Sequence, residues 1–129
     1  MNAIAARVTG LQHFGLPTNS MEKTLQFYQT LGFELVHDTF DGDVRVCFLK
    51  LANVCVETYE TGEAVGHRGA IDHICLDVDD LDAAWDAVLA AGLTPVEKEP
   101  CFLPFWEKGV RFFNVEGPNA EIVEFGQIL

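Results

Sequence analysis

Two histidines and two glutamates in this chain could do chemistry together. His13 and His73 stand sixty residues apart, and Glu57 and Glu124 each sit in the middle of an apolar, strand-like run, VCVETY and EIVEF. A carboxylate centred in such a run is costly to bury unless something charged meets it. Two neutral imidazoles and two carboxylates balance the charge of one divalent cation. This N2O2 set suits a six-coordinate ion with two positions left for water or substrate. The expected cofactor is one divalent metal per site: nickel, cobalt, manganese, iron or zinc. The first four fit better than closed tetrahedral zinc, and open positions mean catalysis rather than structure.

The elements that must position these residues are written twice. Shifted by sixty places, His13 falls on His73, Gly32 on Gly92 and Val36 on Val96. Each copy reads as strand, cap, helix and glycine stop. In the first helix Asn19 is the expected cap with Glu22 three residues later, and Met21, Leu25, Tyr28 and Leu31 form one apolar face. In the second, Asp79 is the expected cap, and Leu81, Ala84, Trp85 and Val88 form the face. Three strand-like runs follow each helix, near 34–40, 43–49 and 54–59, then near 94–98, 110–115 and 121–126. The fold class is therefore α+β: two tandem βαβββ modules whose sheets curve around a cleft. One domain spans 1–129, with module 1 over about 9–60, a linker at 61–69 within the polar stretch from Glu60 to Ala70, and module 2 over about 70–127.

Strand alternation assigns the faces. Phe14 and Leu16 suit the side covered by the helix, which puts His13 in the cleft with Gly15. Ile74, Leu76 and Val78 likewise leave His73 and Cys75 on the cleft side. Glu57 opposes Val54, Val56 and Thr58, and Glu124 opposes Val123 and Phe125. The four ligands are thus expected to converge on the pseudo-twofold axis. His37 and His67 lack repeat partners, lie in or near loops and read as solvated.

With 49% apolar and 22% charged residues, the composition is that of an ordinary globular chain and argues against disorder. A formal charge of -12, with no cluster among the Lys and Arg residues, disfavours nucleic acid and anionic membranes as partners. The N-terminus from Met1 to Gly10 has neither the basic start nor the apolar stretch of a signal peptide, so a cytoplasmic protein is expected. Cys47, Cys55, Cys75 and Cys101 never form a CxxC spacing and read as reduced core residues.

The chain resembles the vicinal oxygen chelate superfamily from Gly10 to Gln127, and within it the glyoxalase I pattern, His, Glu, His, Glu on the first and last strands of two modules. That pattern is matched by His13, Glu57, His73 (in IDHICLDV) and Glu124. Extradiol dioxygenases carry a His, His, Glu triad, methylmalonyl-CoA epimerase has glutamine where Glu57 stands, and bleomycin-resistance-type binders lack the ligand set. The resemblance implies a lactoylglutathione lyase-like metalloenzyme. It would isomerise an α-oxo or α-hydroxycarbonyl compound, such as a hemithioacetal of methylglyoxal, through an enediolate. Glu124 would be the catalytic base and Glu57 its symmetric partner. Where the family places the Arg and Asn that grip glutathione, this sequence has Pro17 and Thr61, which points to another thiol. Phe102, Phe105 and Trp106, in the loop from Cys101 to Lys108, suggest a lid, and Arg111 or its repeat mate Arg45 could bind an anionic group or form a surface salt bridge. The alternatives within the fold are an epimerase, an Fe(II) dioxygenase, or a non-catalytic small-molecule binder. The partners expected are a small-molecule substrate and a second copy in a homodimer.

Overall fold

The computed structural model describes residues 2–3, 5–7, 9, 11–69 and 71–129. Gly10, where the family resemblance begins, and Ala70, the expected first residue of module 2, lie outside the described residues, as does Met1.

Each half folds as the repeat requires. Strand β1 (Phe14–Thr18) leads into helix α1 (Met21–Thr30), followed by β2 (Glu34–Asp41), β3 (Val44–Leu51) and β4 (Val54–Glu60). The second half gives β5 (His73–Asp77), α2 (Leu81–Ala90), β6 (Cys101–Leu103), β7 (Val110–Glu116) and β8 (Ile122–Ile128). The strands form two separate four-stranded sheets, ordered β1-β4-β3-β2 and β5-β8-β7-β6. In both, the first and last strands of the module run parallel at the centre and edge, and the other pairs are antiparallel. Pro17 is tolerated in β1 because an edge strand has backbone donors to spare.

The helices begin one residue later than the sequence suggests. Ser20 and Asp80 are the N-caps, each side chain accepting from the backbone three residues on. Asn19 is displaced from capping because its carboxamide clamps the linker, donating to the Ala64 carbonyl and accepting from the Ala64 amide. The last strand of each half then docks the helix: Glu60 accepts from the Met21 amide, and Gln127 from the Leu81 amide at 2.9 Å. Both helices stop at a left-handed glycine, Gly32 (φ 101°) and Gly92 (φ 83°). The residue after each donates back to the carbonyl five earlier, Phe33 to Tyr28 and Leu93 to Val88.

Module 2 departs from the expected pattern at its edge. Residues 94–98 form no strand, although Val96 donates to the Asn114 carbonyl at 2.8 Å. The Glu97 carboxylate takes both the backbone and side-chain N–H groups of Asn114, so a side chain occupies the donor a ladder would need. The edge strand forms instead at Cys101–Leu103, paired to β7.

The core lies between sheets and helices. Phe113 is fully buried, stacked on Phe125 at 4.9 Å and meeting the edge of Trp85 at 5.1 Å. In module 1, Tyr28 touches Phe27 and Phe33 at 5.0 and 5.2 Å over buried Leu49 and Val56. The modules are joined by polar contacts. Tyr28 donates to Glu121 at 3.3 Å, and Asn119 donates to Thr24 and accepts from Thr18. Cys47 and Cys55 are buried as expected, but Cys75 is exposed and Cys101 half-buried; all four are free thiols. Among the described residues no helix is long and apolar enough to cross a membrane.

Candidate metal centre

The face assignment places all four candidate ligands on the sheet side away from the helices. His13, expected within the opening strand, immediately precedes β1. His73 opens β5, and Glu57 and Glu124 lie near the middle of β4 and β8. The side chains meet in pairs: His13 Nε2 is 3.3 Å from Glu57 Oε2, and His73 Nε2 is 3.1 Å from Glu124 Oε2. Two ligand atoms at right angles around an ion about 2.1 Å away lie about 3 Å apart. Each pair therefore has the spacing of two neighbouring ligands on one metal, and the donor chemistry fits a divalent ion.

The pairs do not converge in one chain. Among the described residues no three His, Cys, Asp or Glu side chains gather as a metal-holding group. The sequence leaves open whether the two pairs meet within one chain or across two copies. Each pair belongs to its own four-stranded sheet.

Behind each histidine is a partner that sequence reasoning passed over. His13 Nδ1 lies 2.9 Å from Gln12 Oε1, and His73 Nδ1 lies 2.8 Å from Asp72 Oδ2. An acceptor on Nδ1 fixes the N–H there and turns the Nε2 lone pair toward a metal. The hydrogen bond from His73, aided by Arg68 with Nη1 3.4 Å away, holds the Asp72 carboxyl below its usual range. The signal was present in the sequence, since positions 12 and 72 are repeat mates and both carry a side-chain oxygen.

The neighbours of the two glutamates differ. Glu57 pairs in register with Gly15 and Phe48, and the Phe48 ring sits between His13 (5.8 Å) and His37 (6.0 Å). His37 is thus a strand residue on the ligand face, not a loop histidine; a bulge between Leu35 and His37 sets its register. His67 remains in the linker, bonded to the Arg68 carbonyl. Glu124 pairs with Cys75 and Asn114, and the Cys75 thiol donates to Glu124 Oε1 at 3.6 Å. Burial, then the Glu124 charge, push that thiol up to about 12, so it stays a donor. Gly126 makes room for it, since a Cβ there would sit 2.8 Å from the sulfur.

Arg111 does not join the site. It lies on the same side of β7 as Phe113 and Val115, opposite to Asn114, and binds Asp82 of α2 through two nitrogens at 2.8 and 3.1 Å. Arg45 does the same with Asp38 at 2.7 and 3.0 Å. In both cases the strand parity that buries the core residues carries the arginine to the helix side. The aromatic segment is also rearranged. Cys101–Leu103 is strand β6 rather than loop, and Phe102 pairs with Arg111 on the helix side, its ring against Gly109. Phe105 and Trp106 form the exposed tip of the β6–β7 hairpin. A pocket of about 490 Å³ lies between the modules, walled by Leu11, Phe14, Leu16, Val65, Ile71 and Ile122, with His73 in its lining.

The chain matches the model of the Glyoxalase/Bleomycin resistance protein/Dioxygenase superfamily over residues 10–119 and belongs to that family. No curated protein matches it in sequence. Among solved structures it is similar to a glyoxalase family protein from Enterococcus faecalis (TM-score 0.77, 16% identity, covering 92% of this chain and 97% of that one). It is also similar to TnmS3, an antibiotic binding protein from Streptomyces sp. CB03234 (0.74, 22%, 95% and 98%). A third is FosX, a fosfomycin resistance protein from Listeria monocytogenes (0.74, 18%, 95% and 95%). At these identities the likeness is one of fold.

Proposed function

We propose that the protein is a metal-dependent lyase or isomerase of the glyoxalase I type, acting on a small α-oxo or α-hydroxycarbonyl compound, including thiol adducts such as hemithioacetals. One observation carries this reading: two repeat-related His–Glu pairs, each at the separation of neighbouring metal ligands and each with its imidazole oriented from behind. His13, Glu57, His73 and Glu124 would hold the ion, and a homodimer would complete the set by bringing the first pair of one copy to the second pair of another. The bound divalent ion, nickel, cobalt, manganese, iron or zinc, would polarise two vicinal oxygens of the substrate.

The chain's own part is proton transfer and exclusion of water. A glutamate Oε accepts the proton from one carbon and returns it to the neighbouring carbon, which makes Glu57 and Glu124 the candidate catalytic residues. Phe105 and Trp106, exposed on the hairpin tip, would close over a bound substrate. Glutathione is not the expected thiol, because Pro17 and Thr61 offer no charged or carboxamide group to grip it.

The test is metal content of tag-free protein together with turnover of methylglyoxal adducts of several thiols after loading with each metal. Stoichiometric metal and turnover lost in both Glu57→Gln and Glu124→Gln support the reading. Protein that takes up no metal refutes it. A second reading, a non-catalytic binder, is favoured by the apolar pocket between the modules and by the likeness to an antibiotic binding protein. It predicts tight ligand uptake that is indifferent to metal.

A further inference from the structure

We infer that the two half-sites are unequal, with His73 and Glu124 as the anchor that holds the ion and Glu57 as the carboxylate left free to move a proton. This inference rests on the metal reading above and assigns roles within it, making Asp72, Arg68 and Cys75 positioning residues. It reverses the preference for Glu124 as base that the family resemblance suggests.

The argument is a comparison of repeat-related positions. In the second half an unbroken chain of polar contacts runs through both ligands. Arg68 Nη1 meets Asp72 Oδ1 at 3.4 Å, and Asp72 Oδ2 meets His73 Nδ1 at 2.8 Å. His73 Nε2 faces Glu124 Oε2 at 3.1 Å, and Glu124 Oε1 receives the Cys75 thiol at 3.6 Å. Glu124 Oε2 thus faces the ion position beside Nε2 while Oε1 is tied by the Cys75 thiol, and its side chain is 19% exposed. In the first half the chain is shorter and neutral at its root. Gln12 supplies a carboxamide where Asp72 supplies a carboxylate, and Gly15 stands where Cys75 stands. The Glu57 side chain is 27% exposed with Phe48 as its register partner, and the Tyr59 hydroxyl, which lies over Gly15, makes no hydrogen bond to it among the described residues.

Physical chemistry ranks the two. A carboxylate behind a ligating imidazole makes Nε2 a stronger donor and fixes the ring more firmly than a carboxamide can. A carboxylate with one oxygen on the ion and the other tied by a thiol is a good ligand and a poor mobile base. One engaged at a single oxygen can rotate about its own side chain toward a substrate carbon. Among the described residues no hydrogen bond ties the second oxygen of Glu57.

The experiment measures Co²⁺ affinity by chelator competition, using the full chain at a concentration where its oligomeric state is fixed, with circular dichroism on every variant. Asp72→Asn and Glu124→Gln should each lose about ten- to a hundredfold in affinity. Gln12→Ala and Glu57→Gln should each lose less than about tenfold, below the range that partners behind metal ligands contribute. Asp72→Glu, which keeps the charge, should recover part of the loss and so separates orientation of His73 from a folding defect. Equal losses in the two halves, or a larger loss in Glu57→Gln than in Glu124→Gln, overturn the inference while leaving a metal site in place. No Co²⁺ uptake by the unaltered protein refutes the metal reading itself, and the inference with it.

Discussion

Tyr28→Phe removes a single hydroxyl from the junction between the modules, and its effect on stability should change sign with pH. Tyr28 is 1% exposed and donates to Glu121 Oε2 at 3.3 Å. Near neutral pH the variant loses one long hydrogen bond to a carboxylate that still accepts from the Asn119 amide at 2.8 Å. A cost of about 1 kcal/mol is expected. Burial, then the charge and hydrogen bond of Glu121, raise the phenol far above its ordinary value of 10.0. A group raised on folding contributes stability that is complete below its unfolded pKa and is lost as pH rises beyond it. The unfolded wild type therefore sheds a proton that the folded protein keeps, and wild type loses about 1.4 kcal/mol per pH unit above 10 through this residue alone. Phenylalanine has no such proton. The variant should be less stable at pH 7 to 9, draw level between about pH 10.5 and 11, and be the more stable protein above that. Urea unfolding of both proteins across this range, at one protein concentration and with m-values compared, reads the difference directly. A stability difference that stays constant from pH 7 to 11 would refute the burial and Glu121 argument.

Three further outcomes concern Thr58, Gly109 and Arg111. Among the described residues Thr58 Oγ1 is buried with no hydrogen-bond partner, so Thr58→Val should stabilise by about 1 kcal/mol and raise Tm by about 3–5 °C, seen in a thermal melt. Gly109→Ala should destabilise by about 1–3 kcal/mol in the same melt. The position has φ 101° and a Cβ there would sit 2.3 Å from the Phe102 ring and 3.2 Å from the Leu103 carbonyl. Arg111→Ala should leave metal affinity and any turnover unchanged, because its guanidinium binds Asp82 on the face opposite Glu124; a loss of either would return Arg111 to the site.

What was legible in the sequence was whatever depends on periodicity. Strand parity put Val56 and Thr58 inside and Glu57 outside, and the same rule sorts β8, because a one-residue alternation is fixed by the pleat. The sixty-residue repeat found the helices and both histidines. What periodicity does not encode is where side chains compete with the backbone. Asn19 lost its cap to Ser20 by bonding Ala64, and Glu97 took the Asn114 donors that a strand at 94–98 would have used. Parity also keeps Arg111 out of the cleft, since Phe113 and Val115 share its side, and of its two readings it is the salt bridge that forms. The partners behind the histidines, Gln12 and Asp72, are visible as a repeat pair, but alternation sends neighbouring side chains to opposite faces and does not predict their contact. Whether two half-sites meet in one chain is a question of rigid-body placement, and local pattern carries no information about it.

The separation of the two His–Glu pairs onto different sheets has a genetic consequence. A chain altered at His13 and another altered at His73 each keep one sound pair. If the pairs join across copies, neither variant works alone, yet a mixed dimer contains one site built wholly from intact halves. Random reassortment would restore about a quarter of the sites of the unaltered protein, since about half of the dimers are mixed and each mixed dimer has one good site of two. Two inactive alleles of this kind would complement one another in the same cell.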